Sequence, residues 1–297
     1  MKVVIALGGN AILKKGDKPT IKAQIENTRR VLKKLFPLIK NNKAVITHGN
    51  GPQAGYLLLQ QEKGIGMPLD VLDAETEGQI GYLIQQILYN LLQKNKVKKN
   101  VVTVLTQVLV DKNDTAFSKP SKFVGPFYTK PQAGKLKNKF RIKEDIGRGY
   151  RRVVASPRPL EIIESGVINN ILNYSFVIAV GGGGIPVVKE RNELKGIDAV
   201  VDKDLASQCL ADSINADILV MITDIDRVYL NYKQKNQKGL DKASLKEIRK
   251  YYLEGHFPPG SMGPKIEAAI NFLENGGKKV IITNVENING KGTVIVR

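Results

Sequence analysis

The sequence predicts an α/β fold in which helices sandwich a mainly parallel central sheet, with a small inserted lid subdomain. Short runs rich in Val and Ile recur along the chain. Several are apolar at every position, which is typical of strands buried on both faces. Longer amphipathic stretches lie between them, and such alternation is typical of an α/β sandwich. One stretch, residues 111–159, breaks the alternation.

Seven segments are predicted as strands because they consist largely of Val, Ile, Leu and Ala. The N-terminal segment is shorter than a signal-peptide core and ends in glycines, so we interpret it as a buried strand. The seven segments are 3–7, 44–47, 101–110, 176–180, 218–222, 279–283 and 293–296.

Four helices are predicted between these strands. Thr20 is placed to cap the first, which runs to about Lys40, although Pro37 should kink or shorten its end. Asp73 is expected to cap the second, which runs to about Leu92. The other two helices are predicted over 204–215 and 265–274.

Residues 111–159 contain Pro, Gly, Lys and aromatic residues without a long apolar period. A structureless loop of this length is uncommon within a compact domain, so we predict a small inserted subdomain or lid. A second polar and basic segment, residues 233–250, is expected to form a surface hairpin followed by a helix.

Composition limits the classes of function. Of 297 residues, 46 are Lys or Arg and 28 are Asp or Glu, which gives a net charge of +18. Hydrophobic residues make up 42% of the chain, enough for a sizeable core. No apolar run approaches the roughly 18 residues that span a bilayer. The positive charge is compatible with nucleic acid, an acidic membrane surface, an anionic small substrate or merely a Lys-rich surface.

Cysteine and histidine are too few for several kinds of site. A single cysteine, Cys209, excludes an internal disulfide framework and fits a reducing cytoplasm. Only two histidines are present, which argues against a multi-histidine metal site; His48 is interpreted as a hydrogen-bonded structural residue and His256 as a loop residue. No Ser–His–Asp pattern is present, which argues against nucleophilic catalysis.

Three glycine-rich turns each follow a predicted strand. They are Gly8-Gly9-Asn10, His48-Gly49-Asn50-Gly51 and Gly181-Gly182-Gly183-Gly184. In a parallel sheet the loops after the strands share one edge, and glycine lets backbone N–H groups approach anionic oxygens closely. One such turn would merely connect a strand to a helix, but three favour an anion site. None matches the P-loop or dinucleotide-binding patterns.

Three further motifs carry charge next to predicted strand or helix ends. They are Asp202-Lys203-Asp204, Thr223-Asp224 and the segment 260–265, which ends in Pro264-Lys265. A cation in the first turn of a helix is disfavoured by the macrodipole, so Lys265 is better explained if an anion also binds there. The carboxylates of the first motif would orient lysines or hold Mg²⁺. An ordinary helix cap with a solvated lysine is the alternative for that motif.

Taken together, these motifs resemble the carbamate kinase family, a branch of the amino-acid kinase superfamily. The resemblance covers nearly the whole chain, and the combination of the lid segment, the four glycines and the GSMGPK segment is highly specific. The matching segments are 3–13, 45–55, 73–82, 110–117, 122–128, 147–159, 179–188, 199–207, 215–229 and 255–269.

The resemblance implies a three-layer αβα domain spanning 1–297. Its N-terminal half, about 1–170, would hold carbamate and the phosphoryl group, and its C-terminal half, about 171–297, would hold the nucleotide. The implied reaction is reversible phosphoryl transfer between ATP and carbamate, giving ADP and carbamoyl phosphate, without a covalent intermediate. The resemblance also implies Mg²⁺ held mainly through the ATP phosphates, a role in arginine metabolism, and a cytoplasmic homodimer that binds neither nucleic acid nor membrane. It leaves open the direction of the reaction in the cell.

Site residues follow from the resemblance position by position. Lys122 corresponds to a lid lysine that reaches into the site, Lys203 and Lys265 to lysines that contact nucleotide phosphates, and Asp204 to the carboxylate that organises them. The residues implied for carbamate and the transferring phosphoryl group are Gly8, Gly9, Asn10, Gly49, Asn50 and Gly51. Those expected for the nucleotide are Gly181, Gly182, Asp202, Thr223, Asp224, Tyr232 and Met262.

Three residues depart from the usual family pattern, and two other functions stay open. Arg227 stands where a glycine is common, and Lys119 and Phe123 replace the usual Asn and Pro of the lid motif. One alternative is a kinase of the same fold that phosphorylates another carboxylate or phosphate acceptor. The other is a basic protein that binds nucleic acid or acts as a regulator.

Residues 119–152 contain 11 basic and 2 acidic residues, a net charge of +9 that is half of the total. This part of the lid is therefore expected to steer anionic ligands.

Overall fold

The computed structural model describes residues 1–14, 16–61, 66–145, 149–288 and 290–297. Its strands are β1 (Lys2–Leu7), β2 (Lys43–His48), β3 (Asn100–Thr103), β4 (Gln107–Val110), β5 (Lys122–Tyr128), β6 (Ile142–Asp145), β7 (Gly149–Val154), β8 (Pro159–Ile162), β9 (Ser175–Ile178), β10 (Ile185–Glu190), β11 (Glu193–Gly196), β12 (Ile218–Ile222), β13 (Val228–Leu230), β14 (Lys238–Leu240), β15 (Lys242–Ser244), β16 (Lys279–Thr283) and β17 (Thr293–Val296). Its α-helices are α1 (Gly9–Ile12), α2 (Ile21–Lys40), α3 (Gly51–Gln61), α4 (Leu69–Lys94), α5 (Lys130–Leu136), α6 (Ser165–Ile171), α7 (Lys203–Ser213), α8 (Leu245–Leu253) and α9 (Met262–Glu274).

Eight strands form the central sheet in the order β15-β17-β16-β12-β1-β2-β9-β3. Neighbouring strands run parallel, except that β16 and β17 are antiparallel. The strand ends that precede the glycine turns therefore lie along one edge of the sheet, as the sequence predicts.

Helices cover both faces of this sheet. Alternate residues of β1 point to opposite faces: Val3 and Ile5 belong to the core shared with α2 and α4, whereas Val4 and Ala6 belong to the core shared with α6, α7 and α9. The middle strands are buried on both sides, which is why their sequences are apolar at every position. The predicted three-layer αβα sandwich is confirmed.

The prediction of one strand over residues 101–110 is wrong. The chain forms β3 in the central sheet, turns, and then forms β4 in a second sheet with the order β11-β10-β4-β8. The reason lies in Thr106, whose backbone N–H donates to the buried carboxylate of Glu77 over 2.9 Å rather than to a neighbouring strand. A predicted strand over 176–180 is likewise shortened, because Val180 adopts a left-handed backbone with φ of 53°.

Helix α2 begins and ends as predicted, with the Thr20 side chain accepting from the Ala23 N–H over 3.2 Å. Pro37 lies inside this helix and does not end it before Lys40. The prediction that Asp73 caps the second helix is wrong. Helix α4 already begins at Leu69, directly after Pro68, and Asp73 lies one turn inside it.

The insert contains a small antiparallel sheet of its own, in the order β5-β7-β6, followed along the chain by β8, which joins the second sheet. Val124 of β5 and Val154 of β7 pack with Leu69 and Leu72 of α4 in a separate apolar cluster. This contact holds the insert, which we call the lid, over the sheet edge. Arg148, one of its predicted basic residues, lies outside the described residues.

Among the described residues, no helix combines the length and the apolar character needed to cross a membrane.

The basic segment 233–250 contains the end of the β13–β14 hairpin, followed by strand β15 and helix α8.

Candidate active site

Backbone hydrogen bonds tie together the loops at the edge of the central sheet. The Gly8 N–H donates to the Ile222 carbonyl and the Gly49 N–H donates to the Leu7 carbonyl, each over 3.0 Å. A Cβ atom at Gly8 would lie 2.9 Å from the Ile222 carbonyl oxygen, so the approach requires glycine. These contacts bring the ends of β1, β2 and β12 to one place.

The turn after β9 approaches the same place. Gly182 has a φ of 70°, and a Cβ atom there would lie 2.3 Å from Nδ2 of Asn50. Gly183 has a φ of 112° and lies against the Val201 carbonyl, just before α7. Glycine is needed at both positions because the backbone is left-handed and space is lacking. The turn therefore packs directly between Asn50 and the start of α7.

A cavity of about 290 Å³, which we call the main cavity, lies between these turns, the lid and the first turns of α7 and α9. It brings together residues from distant parts of the chain in which the sequence predicts site residues. The predicted residues that line it are Gly9, Gly49, Asn50, Gly51, Lys122, Gly182, Asp202, Lys203, Asp204 and Lys265.

Two lysines converge on one carboxylate in the wall of this cavity. Nζ of Lys203 lies 2.6 Å from Oδ1 of Asp204, and Nζ of Lys265 lies 2.8 Å from its Oδ2. The Asp204 side chain is only 6% exposed, so this cluster is shielded from water. Asp204 thus holds both ammonium groups at fixed positions, although Lys265 lies 61 residues further along the chain than Asp204.

The charges of this cluster sustain one another. Burial works against ionisation of Asp204, but Lys203 and Lys265 outweigh it and hold the pKa of Asp204 below its usual range. Burial similarly opposes the charged form of Lys265, whose pKa is nevertheless raised by Asp204. For Lys203, burial prevails and its pKa is lowered. An anion bound beside Lys203 would favour its charged form.

Asp202 links the lid to helix α7. Its Oδ1 accepts the N–H of Asp204 over 2.9 Å and so caps the helix, and its Oδ2 lies 2.8 Å from Nζ of Lys122. Lys122 is thereby directed into the cavity, although Phe123 follows it. The departure at Phe123 has not removed the lid lysine from the site.

A second cavity of about 350 Å³ adjoins the first and shares Ser261 and Lys265 with it. It is lined mainly by aromatic and apolar side chains at the C-terminal half of the sheet edge. The predicted nucleotide residues that line it are Thr223, Asp224, Tyr232 and Met262. Arg227 pairs with Asp226 and Asp241 and is not part of this lining, so its side chain does not fill the cavity.

Comparisons with known proteins identify the family to which this fold belongs. The model of the amino acid kinase family matches residues 1–284. A carbamate kinase from Thermococcus kodakarensis is 50% identical to this chain, and the match covers 100% of this chain and 99% of the relative. A solved carbamate kinase from Giardia lamblia, bound to AMP-PNP, superimposes with a TM-score of 0.92 at 43% identity, covering 99% of this chain and 98% of its own.

The chain belongs to the carbamate kinase branch of the amino acid kinase family. A relative from Pyrococcus horikoshii, also named carbamate kinase, is 47% identical over 96% of this chain. Because these relatives and solved neighbours are kinases, this protein is also a kinase, an enzyme that transfers a phosphoryl group.

Three predicted site residues of this carbamate kinase family member lie outside the two cavities described so far. Gly8 and Asn10 line a third cavity of about 370 Å³, which shares Thr223 and Asp224 with the second cavity. Asn10 there donates its Nδ2 to Asp224, which joins the two halves of the domain. Gly181 is buried beneath the main cavity, where its N–H donates to Glu77 over 2.6 Å.

Two carboxylic acids at the main cavity of this carbamate kinase family member were not predicted from the sequence as site residues. Asp73 and Glu77, both 2% exposed, lie one turn apart on α4, and Asp73 lines the main cavity. Burial raises the pKa of Asp73 to about 7 and that of Glu77 to about 8, although hydrogen bonds oppose each shift. The sequence pattern could have indicated their burial, because both carboxylic acids occupy the apolar helix face that also carries Ile80 and Ile84.

His48 matches its structural interpretation. It is buried at the end of β2, and burial, followed by the charge of Lys203, lowers its pKa to about 4 despite the neighbouring Gly49 carbonyl. The imidazole is therefore neutral at physiological pH and supplies packing beneath Gly181 rather than charge.

Proposed function

We propose that this enzyme catalyses reversible transfer of the γ-phosphoryl group between ATP and carbamate, giving ADP and carbamoyl phosphate. The observation that carries the proposal is the convergence of Lys122, Lys203 and Lys265 on one cavity that is also lined by glycine turns. This arrangement suits a reaction between two anions, and the names of the relatives supply the acceptor.

The reaction needs no general base. Carbamate is already an anion at neutral pH, so one of its oxygens attacks the γ-phosphorus directly while the bond to the β-phosphate oxygen breaks and ADP leaves. The barrier comes from bringing two anions together and from charge on the transferring group. Fixed cations and backbone N–H groups reduce both contributions.

The residues divide this work by position. Gly9, Asn50 and Gly51 offer backbone N–H groups to carbamate and the transferring phosphoryl group, whereas the Gly49 N–H already donates to the Leu7 carbonyl. Lys203 and Lys265, held by Asp204, neutralise the nucleotide phosphates, and Lys122 approaches from the lid. The second cavity, with Tyr232 and Met262, accepts the adenine ring.

Magnesium is assigned to the phosphates of the nucleotide rather than to a protein cage. Among the residues with described positions, no group of three or more His, Cys, Asp or Glu side chains is arranged to hold a metal. The carboxylate oxygens of Asp202 and Asp204 already accept from lysines or a helix N–H. Bound Mg²⁺ would supply charge neutralisation to the β- and γ-phosphates. We further propose that the enzyme acts in the cytoplasm as a homodimer.

The test is ATP formation from ADP and carbamoyl phosphate, with Mg²⁺, measured by a coupled assay. Losing one well-placed cation should reduce the rate by about 10²–10³. Lys122→Ala and Lys265→Ala should each show this loss. Lys119→Ala removes the same charge from the same lid, three residues from Lys122, without touching the lining of the cavity, and should retain activity. Wild-type protein that makes no ATP would refute the function, and full activity in both site variants would refute the site.

A further inference from the structure

Asp73, a residue that lines the main cavity, has one side-chain oxygen without a hydrogen-bond partner. Oδ1 of Asp73 accepts from Nδ2 of Asn50 over 2.9 Å, whereas Oδ2 is buried and receives no donor. A buried acceptor without a partner is expensive and calls for an explanation. The side chain is held in place because Asn50 also donates to Oγ1 of Thr76, over 2.9 Å.

Only a few atoms in the described part of the chain share this property. Three other buried side-chain atoms there also lack a partner, but none belongs to a residue that lines the main cavity. They are Oγ1 of Thr28, Nε of Arg30 and Oε1 of Gln53. Among the described residues, Asp73 is thus the one with such an atom that also lines the main cavity.

The proposed substrate has a matching group. Carbamate and carbamoyl phosphate carry an amino group whose N–H bonds need acceptors, while their oxygens need donors. The cavity is rich in donors: lysines and the glycine turns. Its other carboxylates, Asp202 and Asp204, are already occupied by lysines and a helix N–H. The amino group therefore has few places to donate, and Asp73 offers one.

We propose that Oδ2 of Asp73 accepts a hydrogen bond from the amino group of carbamate and carbamoyl phosphate, and thereby selects them over acyl compounds that carry a methyl group there. This inference rests on the proposed function and adds a determinant of substrate choice. A site built to bond a substrate N–H discriminates strongly against analogues that lack it, because the buried acceptor is then left unpaired.

The electrostatic surroundings of Asp73 are compatible with an anionic substrate. Burial raises the pKa of Asp73 to about 7, aided by Asp70 and Asp198 and opposed by the bond from Asn50. The carboxyl group therefore does not add a full negative charge near neutral pH. Its oxygen keeps acceptor capacity in either protonation state.

The test compares Asp73→Asn with Asp70→Asn. Asn50 still donates to the carbonyl oxygen of the new amide, so Asp73→Asn places an NH₂ group where Oδ2 was and reverses its polarity. Asp70 lies one turn earlier on the same helix and outside the cavity lining, which makes it a matched control. Asp73→Ala serves as a second variant, since it removes the acceptor without adding a donor.

Two constants are measured for each protein: KM for carbamoyl phosphate and the competitive inhibition constant of acetyl phosphate, which has a methyl group in place of the amino group. We expect Asp73→Asn to raise the first by roughly 10- to 100-fold, the range for a bond to a charged or buried group, and to leave the second within about twofold. Asp70→Asn should change neither constant.

The ratio of the two constants decides the matter. If both rise by the same factor, Asp73 contacts a group that both compounds share or serves only to hold the structure, and the inference is overturned. If neither changes in Asp73→Asn or Asp73→Ala, it is likewise overturned. Wild-type protein without ATP-forming activity would overturn the proposed function and this inference with it, so the two failures are distinguishable.

Discussion

Replacing Asp204 by Asn should destabilise the protein and disable the site together. Asp204 is the single carboxylate between Lys203 and Lys265, at 2.6 and 2.8 Å. Asparagine has nearly the same shape but no charge, so the change leaves two ammonium groups close together with no counter-ion between them. The lysines would then repel each other and move apart.

The magnitude follows from the distances and the burial. At an effective dielectric constant of about 20, unit charges at these separations attract by about 6 kcal/mol each, and the cost of removing them from water offsets most of that. Removing one partner of a buried pair typically costs about 3–5 kcal/mol. For a chain of this size we expect the melting temperature to fall by roughly 5–8 °C.

Thermal unfolding followed by circular dichroism measures this loss, with Asp198→Asn as the control. Asp198 is 59% exposed and pairs with Arg152 outside the cavity lining, so its replacement should cost at most about 1 kcal/mol. Adding phosphate or pyrophosphate should recover part of the loss in Asp204→Asn, because the anion restores negative charge between the lysines. A melting temperature within about 2 °C of the wild type would refute the reasoning, since a buried counter-ion cannot be removed without cost.

Three other predictions concern the surroundings of the site. Gly182→Ala should reduce the rate of ATP formation at least tenfold with a correctly folded sheet by circular dichroism, because its Cβ would meet Asn50 at 2.3 Å. Because the pKa of Asp73 is raised to about 7 from 3.8, its stabilisation is complete below pH 3.8 and lost as the pH rises through 7. Relative to Asp73→Asn, the wild type should therefore lose free energy of unfolding, on the order of 2 kcal/mol, between pH 5 and pH 8 in urea titrations, and parallel profiles would contradict this. Replacing three exposed lid lysines by Gln should lower kcat/KM for carbamoyl phosphate and flatten its dependence on salt while kcat stays unchanged, and an unaltered salt dependence would contradict the steering role. These lysines are Lys135, Lys137 and Lys139.

Local patterns predicted those elements whose environment is uniform. The strand over 218–222 lies in the middle of the sheet, buried on both faces, so its five apolar residues mark its bounds without outside information. The run 101–110 looks similar, yet Glu77, far away in sequence, takes the N–H of Thr106 and divides the run between two sheets. The residues of the run itself contain no pattern that would predict such a long-range contact.

The site residues likewise differ in whether local sequence or long-range contacts determine their surroundings. Lys203 and Lys265 were predicted because motifs at helix starts are local and the resemblance to a family supplied their roles. Asp73 was predicted as a helix cap, since an acidic residue ahead of apolar periodicity is typical of one. Its true surroundings depend on Asn50 and on the turn after β9, which only the folded chain brings together.

Asp202 divides the site into a permanent part and an exchangeable part. It bonds the first turn of α7 through one oxygen and Lys122 of the lid through the other. Any outward movement of the lid breaks the second contact and leaves the first, so the lysine pair on Asp204 stays assembled while Lys122 departs. The Lys122–Asp202 pair is thus one of several contacts that close the lid, beside the packing of Val124 and Val154 against α4, whereas the Lys203–Asp204–Lys265 cluster does not depend on the lid.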